Sequence, residues 1–198
     1  MELVRGLPLT EYCDSRRLST RQRLELFVNV CHAVQHAHQK GVIHRDLKPS
    51  NILITEQEGV PEPKIIDFGI AKAIGQQLTD VTLVTRAGMV LGTAAYMSPE
   101  QAESSGLDVD TRTDVYSLGV ILFELLTGRV PMEPRDLGMH VFLARLAARE
   151  TDPSRPSELL TTLGNSQKSI ARARQTDPEG LQRELRGDLD WIVIKSLS

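Results

Sequence analysis

His44-Arg45-Asp46-Leu47-Lys48-Pro49-Ser50-Asn51 is the stretch on which the reading of this sequence turns. It lies between two short apolar runs, Val42-Ile43 and Ile52-Leu53-Ile54. Runs of this kind, bounded by turn residues, predict small strands, which makes the charged octapeptide a loop. A third run, Lys64-Ile65-Ile66, is followed directly by Asp67-Phe68-Gly69, sixteen residues after Asn51. Residues 56–63 between the runs read as a polar turn carrying two prolines. Next come Gly92-Thr93-Ala94-Ala95-Tyr96-Met97-Ser98-Pro99-Glu100 and Asp114-Val115-Tyr116-Ser117-Leu118-Gly119.

The flanking sequence is predominantly helical. Ser19 with Gln22 three residues on is a capping-box signature, and Leu24, Phe27, Val28, Cys31 and Val34 follow at helical spacing. Gly41 suits the left-handed end of that helix. Thr111 with Asp114 predicts a second helix reaching Gly128; it is apolar nearly all round, as expected at the centre of a helical domain. Residues 136–149 and 177–186 read as amphipathic helices, the latter with Pro178 in its first turn, and 188–197 as another. Residues 164–169 read as an exposed linker. Residues 70–91 show no period and are predicted to be a long loop, a feature of functional or mobile segments.

Composition narrows the function classes. The 198 residues are 40% hydrophobic and 25% charged, ordinary for a globular domain. A net charge of -3 gives no general reason to bind nucleic acid. Cys13 and Cys31 are the only cysteines and cannot build a disulfide framework, so a reducing, cytoplasmic setting is expected. No run approaches the roughly 18 apolar residues of a membrane span.

The four motifs, in this order, resemble the signature of the protein kinases. Lys48 within the His44–Asn51 run and Gly92-Thr93 ahead of Ser98-Pro99-Glu100 resemble serine/threonine kinases, and Ser98-Pro99-Glu100-Gln101 looks like the bacterial branch of the eukaryotic-like family. Ser98 stands where that family usually has alanine. The resemblance implies a mainly α fold with a few short β-strands, the C-terminal lobe of a protein kinase with the N-terminal lobe missing. Its parts would be a hinge at 1–7, a catalytic loop at 44–51, an activation segment at 67–100 and a helical subdomain at 111–198. Neither a Gly-rich phosphate loop nor its partner lysine and helix glutamate occurs. The expectation is therefore a partial domain, inactive by itself, in which Glu100 lacks the arginine that the family places in later helices.

By the same resemblance, the chain acts on ATP and Mg²⁺ and on protein substrates that offer a serine or threonine hydroxyl. Phosphoryl transfer asks a protein mainly for positioning and charge neutralisation. Asp46 would accept the proton of the substrate hydroxyl, and Lys48 would place positive charge on the transferring phosphoryl group. Asn51 and Asp67 are oxygen donors suited to Mg²⁺. Thr93 would act beside Asp46 and Lys48 in favouring hydroxyl substrates. Glu2 and Val4 would read the adenine edge through their backbone, with Met1 at the gatekeeper position and Leu53 as the floor under the ring. Gly69 would let the backbone turn after the metal ligand. Arg45 would hold a phosphorylated loop residue, with Thr85 the first candidate ahead of Thr82 and Thr79. Asp114 would accept N–H groups of the catalytic loop.

Other readings of particular residues stay open. His32 and His36 lie one helical turn apart near His38, but a closed metal site takes three or four convergent ligands, and this helix offers no such set. Arg172, Arg174, Arg183 and Arg186 read as a solvated helix face. A pseudokinase or other non-catalytic interaction module is the alternative function; Asp46, Lys48, Asn51 and Asp67 are all present, which argues against it. A small-molecule phosphotransferase is a third possibility, opposed by the Ser98-Pro99-Glu100 segment, which the resemblance makes part of a peptide platform.

Overall fold

The structure is a computed structural model; it describes residues 4–68, 94–103, 110–150 and 153–198. Near the N-terminus a two-residue strand β1 (Leu7–Pro8) leads into α1 (Leu9–Ser15) and the long α2 (Thr20–Gln39). A 3-10 turn (Pro49–Asn51) precedes the hairpin of β2 (Ile52–Gln57) and β3 (Val60–Ile65). The remaining helices are α3 (Pro99–Ala102), α4 (Thr111–Thr127), α5 (Pro134–Leu137), α6 (Met139–Ala147), α7 (Pro156–Thr162), α8 (Asn165–Ala173), α9 (Pro178–Leu185) and α10 (Asp188–Ser196). Among the described residues, no helix is long and apolar enough to cross a membrane.

The sheet is antiparallel in the order β1-β2-β3. Ile52 and Ile54 alternate into the core, as one buried sheet face requires. Gly6 lies so close to β2 that a Cβ would sit 2.7 Å from the Ile54 carbonyl, so the incoming chain can pair with β2 only without a side chain there. The predicted strand at Val42-Ile43 does not form. The predicted turn at 56–63 is instead most of the hairpin, with the reversal confined to Glu58 and Gly59. Among the described residues β3 is an edge strand, and Pro61 and Pro63 share one parity, opposite Glu56 and Ile54. The intervening Glu62 turns its carbonyl toward β2, where it accepts from Thr55 Oγ1. Both prolines therefore place their missing N–H on the open edge, where no ladder bond is lost.

In α2 the capping box between Ser19 and Gln22 is present. Its buried residues are Arg23, Leu26, Phe27, Val30 and Val34, whereas Val28 is 48% exposed. Of the apolar positions read as the buried face, Phe27 and Val34 are buried and Leu24 and Cys31 pack partly against the core, so only Val28 points outward, while Arg23, which no apolar pattern marks, is buried. Thr111 is the first helical residue of α4 rather than its cap; the Asp110 carboxylate accepts from Arg112 N–H at 2.7 Å. The C-terminal half of α4 is buried on nearly all sides, through Val120, Ile121, Leu122, Phe123, Leu125 and Leu126, and the helix ends at Gly128 with φ 70°. Gly119 is the point where α10 crosses it. A Cβ there would collide with the Ser196 hydroxyl.

Two buried arginines secure the last turn of α4. Arg174 donates to the Leu125 carbonyl through Nε at 3.1 Å and Nη2 at 2.7 Å, and to the Ile170 carbonyl through Nη1 at 3.0 Å. Arg23 Nη1 reaches the same Leu125 carbonyl at 3.5 Å, while its Nη2 pairs with the Asp14 carboxylate at 2.7 Å. Positive charge here satisfies orphan carbonyls and opposes the negative end of the helix dipole. Burial, with Arg23 alongside, lowers the Arg174 guanidinium to about 10. Arg174 is thus not on a solvated face, although Arg172, Arg183 and Arg186 are exposed as expected. Residues 164–169 are not a linker; 165–169 begin α8, which carries Ala171 and Arg174 inward. The single helix expected over 136–149 is divided at Gly138, φ 77°, into α5 and α6.

Replacing Arg174 with Met leaves the buried Leu125 carbonyl only the long Arg23 contact and should lower unfolding stability by about 2–4 kcal/mol. Arg172→Met on the exposed face should stay within about 0.5 kcal/mol of the parent. Urea denaturation of the two variants checks both values, and equal losses would show that Arg174 does not hold α4.

Candidate active site

Among the described residues the loop after α2 has no sheet ladder to satisfy its backbone. Its first two N–H groups are taken up instead by one carboxylate. Asp114, in the first turn of α4 and fully buried, accepts from His44 N–H through Oδ2 and from Arg45 N–H through Oδ1, each at 2.9 Å. His38 Nε2, at the end of α2, lies 2.7 Å from the same Oδ2. The octapeptide is therefore mounted directly on the central helix.

His44 ties the loop to the segment that leads into Asp67. Its Nε2 lies 2.9 Å from the Ile66 carbonyl, and its Nδ1 accepts from Asp46 N–H at 3.3 Å. A carbonyl can only accept and an amide N–H can only donate, which puts the ring proton on Nε2. Ile66 N–H in turn donates to the Asn51 carbonyl at 2.9 Å. Both backbone groups of Ile66 are thus held by the loop, and Asp67 follows immediately. The His44 and Phe68 rings lie 4.7 Å apart. Arg45 and Asp67 have φ of 65° and 57°. Left-handed backbone costs a non-glycine residue roughly 1–2 kcal/mol, so the surrounding bonds must impose it.

Within the loop, three of the predicted residues meet. Lys48 Nζ is 2.9 Å from Asp46 Oδ2, and both side chains are largely covered. Asn51 Nδ2 donates to the Asp46 carbonyl at 2.9 Å and to Asp46 Oδ2 at 3.2 Å. Leu47 and Pro49 are buried beneath and anchor the turn. Asp67 is exposed, Leu53 half-buried on β2 opposite Pro8 and Lys64, and Val4 half-buried ahead of β1. Glu2, Gly69, Thr93 and the candidate phosphorylation sites Thr79, Thr82 and Thr85 lie outside the described residues. Among the described residues no group of three or more His, Cys, Asp or Glu forms a metal site; His38 instead faces Asp114.

The segment from Ala94 to Ala102 packs on α4 and α6 and touches this loop through Gln101. Glu100 was expected to lack a partner; instead it accepts from Thr113 Oγ1 at 2.7 Å and has Arg149 at 3.9 Å. Arg149 comes from the end of α6, a source that the motif spacing did not indicate. Gln101, singled out only as part of a motif, donates through Nε2 to the Arg45 carbonyl at 2.7 Å. Tyr96 donates to Glu124 at 2.6 Å. Burial pushes the Glu124 carboxyl upward and the Tyr96 phenol well above its usual range.

A loop of this composition, hung from a buried aspartate and bonded on both sides to Ile66, the residue before Asp67, fits the fold of a protein kinase domain. The family model for the protein kinase domain matches residues 1–171, and the chain belongs to that family. Its relatives include the serine/threonine-protein kinase PknB of Mycobacterium leprae, 40% identical over 195 residues, which covers 96% of this chain and 29% of that protein. PknB of Mycobacterium tuberculosis is 39% identical over 203 residues, covering 100% of this chain and 26% of that protein. The chain thus spans under a third of the length of these relatives. A crystal structure of the Mycobacterium tuberculosis PknI kinase domain, a double mutant, superposes with a TM-score of 0.54 at 24% identity, covering all of this chain and 65% of that one; it shares the fold.

Asp114→Asn keeps one acceptor oxygen and turns an NH₂ group toward the other N–H. The loss should be about 1–3 kcal/mol, read by urea unfolding, with faster amide exchange at His44 and Arg45. Unchanged exchange at both amides would show that the carboxylate does not hold the loop.

Proposed function

We propose that this chain carries the catalytic loop and metal-binding residues of an ATP-dependent serine/threonine kinase acting on protein hydroxyls. The observation that carries the reading is the cluster of Asp46, Lys48 and Asn51 within hydrogen-bonding distance of one another, on a loop held by Asp114. Asp46 is the base that takes the proton of the incoming hydroxyl and aims its oxygen. Lys48, already paired with Asp46, offers an ammonium group for the charge on the transferring phosphoryl group.

The donor set fits Mg²⁺. The Asn51 amide nitrogen is engaged by Asp46, which leaves its oxygen as the ligand atom, and Asp67 supplies a carboxylate one residue beyond the tethered Ile66. Two hard oxygen ligands completed by nucleotide phosphates are a usual Mg²⁺ arrangement. Bound there, the ion neutralises phosphate charge. In this reading Leu53 and the backbone of Glu2 and Val4 would take the adenine, and Thr93 would serve with Asp46 and Lys48 in selecting the acceptor hydroxyl. Arg45 answers to a phosphorylated threonine, with Thr85 as the first candidate.

The test uses the full-length gene product with Mg-ATP and a protein substrate. Asp46→Asn should lower kcat by about 10²–10⁴-fold with little change in ATP binding. Asp67→Ala should abolish both Mg²⁺-dependent nucleotide binding and transfer. An Asp46→Asn variant as fast as the parent would overturn the base assignment.

A further inference from the structure

Gln101 stands outside the residues with roles in transfer, yet its amide is used at both ends. Oε1 accepts from Ser98 N–H at 3.2 Å, closing the capping box that starts α3. Nε2 donates to the Arg45 carbonyl at 2.7 Å. The partners fix the amide's orientation, since the Ser98 N–H cannot accept and the Arg45 carbonyl cannot donate. Ser98 is fully buried, so the near end of this link is anchored in the packed interior.

The far end falls on one particular peptide unit. The Arg45 carbonyl and the Asp46 N–H belong to the same planar group. Gln101 holds its oxygen, and His44 Nδ1 receives its hydrogen at 3.3 Å. The preceding peptide is held by Asp114 through Arg45 N–H. Arg45 is thereby clamped on both sides in a left-handed conformation, φ 65°, that it would not otherwise favour. The plane of the 45–46 peptide sets the direction in which the Asp46 side chain leaves the backbone.

We infer that Gln101 is a positioning residue for Asp46, orienting the base through the Arg45 carbonyl and coupling it to the start of α3. This rests on the kinase reading for its effect on rate, but not for its effect on the loop. It also assigns a use to Gln101 beyond capping a one-turn helix.

Two substitutions in the full-length protein separate the roles of the amide. Gln101→Glu keeps the acceptor for Ser98 N–H but turns a carboxylate oxygen toward the Arg45 carbonyl. Gln101→Met keeps the length and removes both bonds. Each should lower kcat about tenfold, the scale of one lost hydrogen bond, with KM for ATP little changed. Amide exchange at Asp46 should rise by a similar factor while exchange within α4 stays as in the parent. A purely capping role predicts a normal kcat and normal Asp46 exchange in the Glu variant, and that result overturns the inference. If the parent transfers no phosphate, the kinase reading fails by itself, and Asp46 exchange then decides the role of Gln101 alone.

Discussion

A carboxylate without solvent contact is costly unless donors surround it. Asp114 meets that condition with three: two backbone N–H groups from the loop and the ring of His38. The consequence runs both ways. The loop needs the carboxylate because those N–H groups have no strand partner among the described residues, and the carboxylate needs the loop because it is buried. Secondary structure alone does not position the 44–51 segment; this exchange of hydrogen bonds does, and the Asp46, Lys48 and Asn51 cluster inherits its placement from it.

The anchor is firm because α4 is held at both ends by groups of the right sign. Asp114 lies in the first turn, where the helix dipole favours negative charge, and the Arg23 and Arg174 guanidiniums lie at the last turn, where it favours positive charge. Between them the helix is mostly apolar, with Val120 to Phe123 buried, and is crossed at Gly119 by α10. Ser157 and Asp190, both buried, perform a related task, joining the start of α7 to α10 through bonds of 3.0 and 2.6 Å. The chemistry-bearing loop is thus carried by the most deeply packed element of the described fold.

Much of this was legible in the sequence, because motif residues that meet in the loop are neighbours along the chain. Asp46, Lys48 and Asn51 lie within six residues, and the capping box at Ser19 and the glycine at 128 are local signals. The reading failed where tertiary partners decide. Pro61 and Pro63 suggest a turn until β3 is known to be an edge strand with both prolines facing out. Arg174 looks like one more surface arginine until the end of α4 is found beneath it. The polar residues 165–169 carry little apolar signal of their own, and helix α8 is secured farther along by Ala171 and Arg174. Arg149 as the neighbour of Glu100, and the Gln101 bond to Arg45, span 49 and 56 residues; no periodicity reports contacts at such separations.

We propose that the loop mounted on Asp114 serves the transfer of phosphate from ATP to aliphatic hydroxyls. Incubation of the full-length protein with Mg²⁺ and γ-labelled ATP, followed by phosphoamino-acid analysis of the labelled protein, tests it most directly. The account predicts label on serine and threonine that disappears when Mg²⁺ is chelated. Absence of label in a folded protein, or label confined to tyrosine, would contradict it.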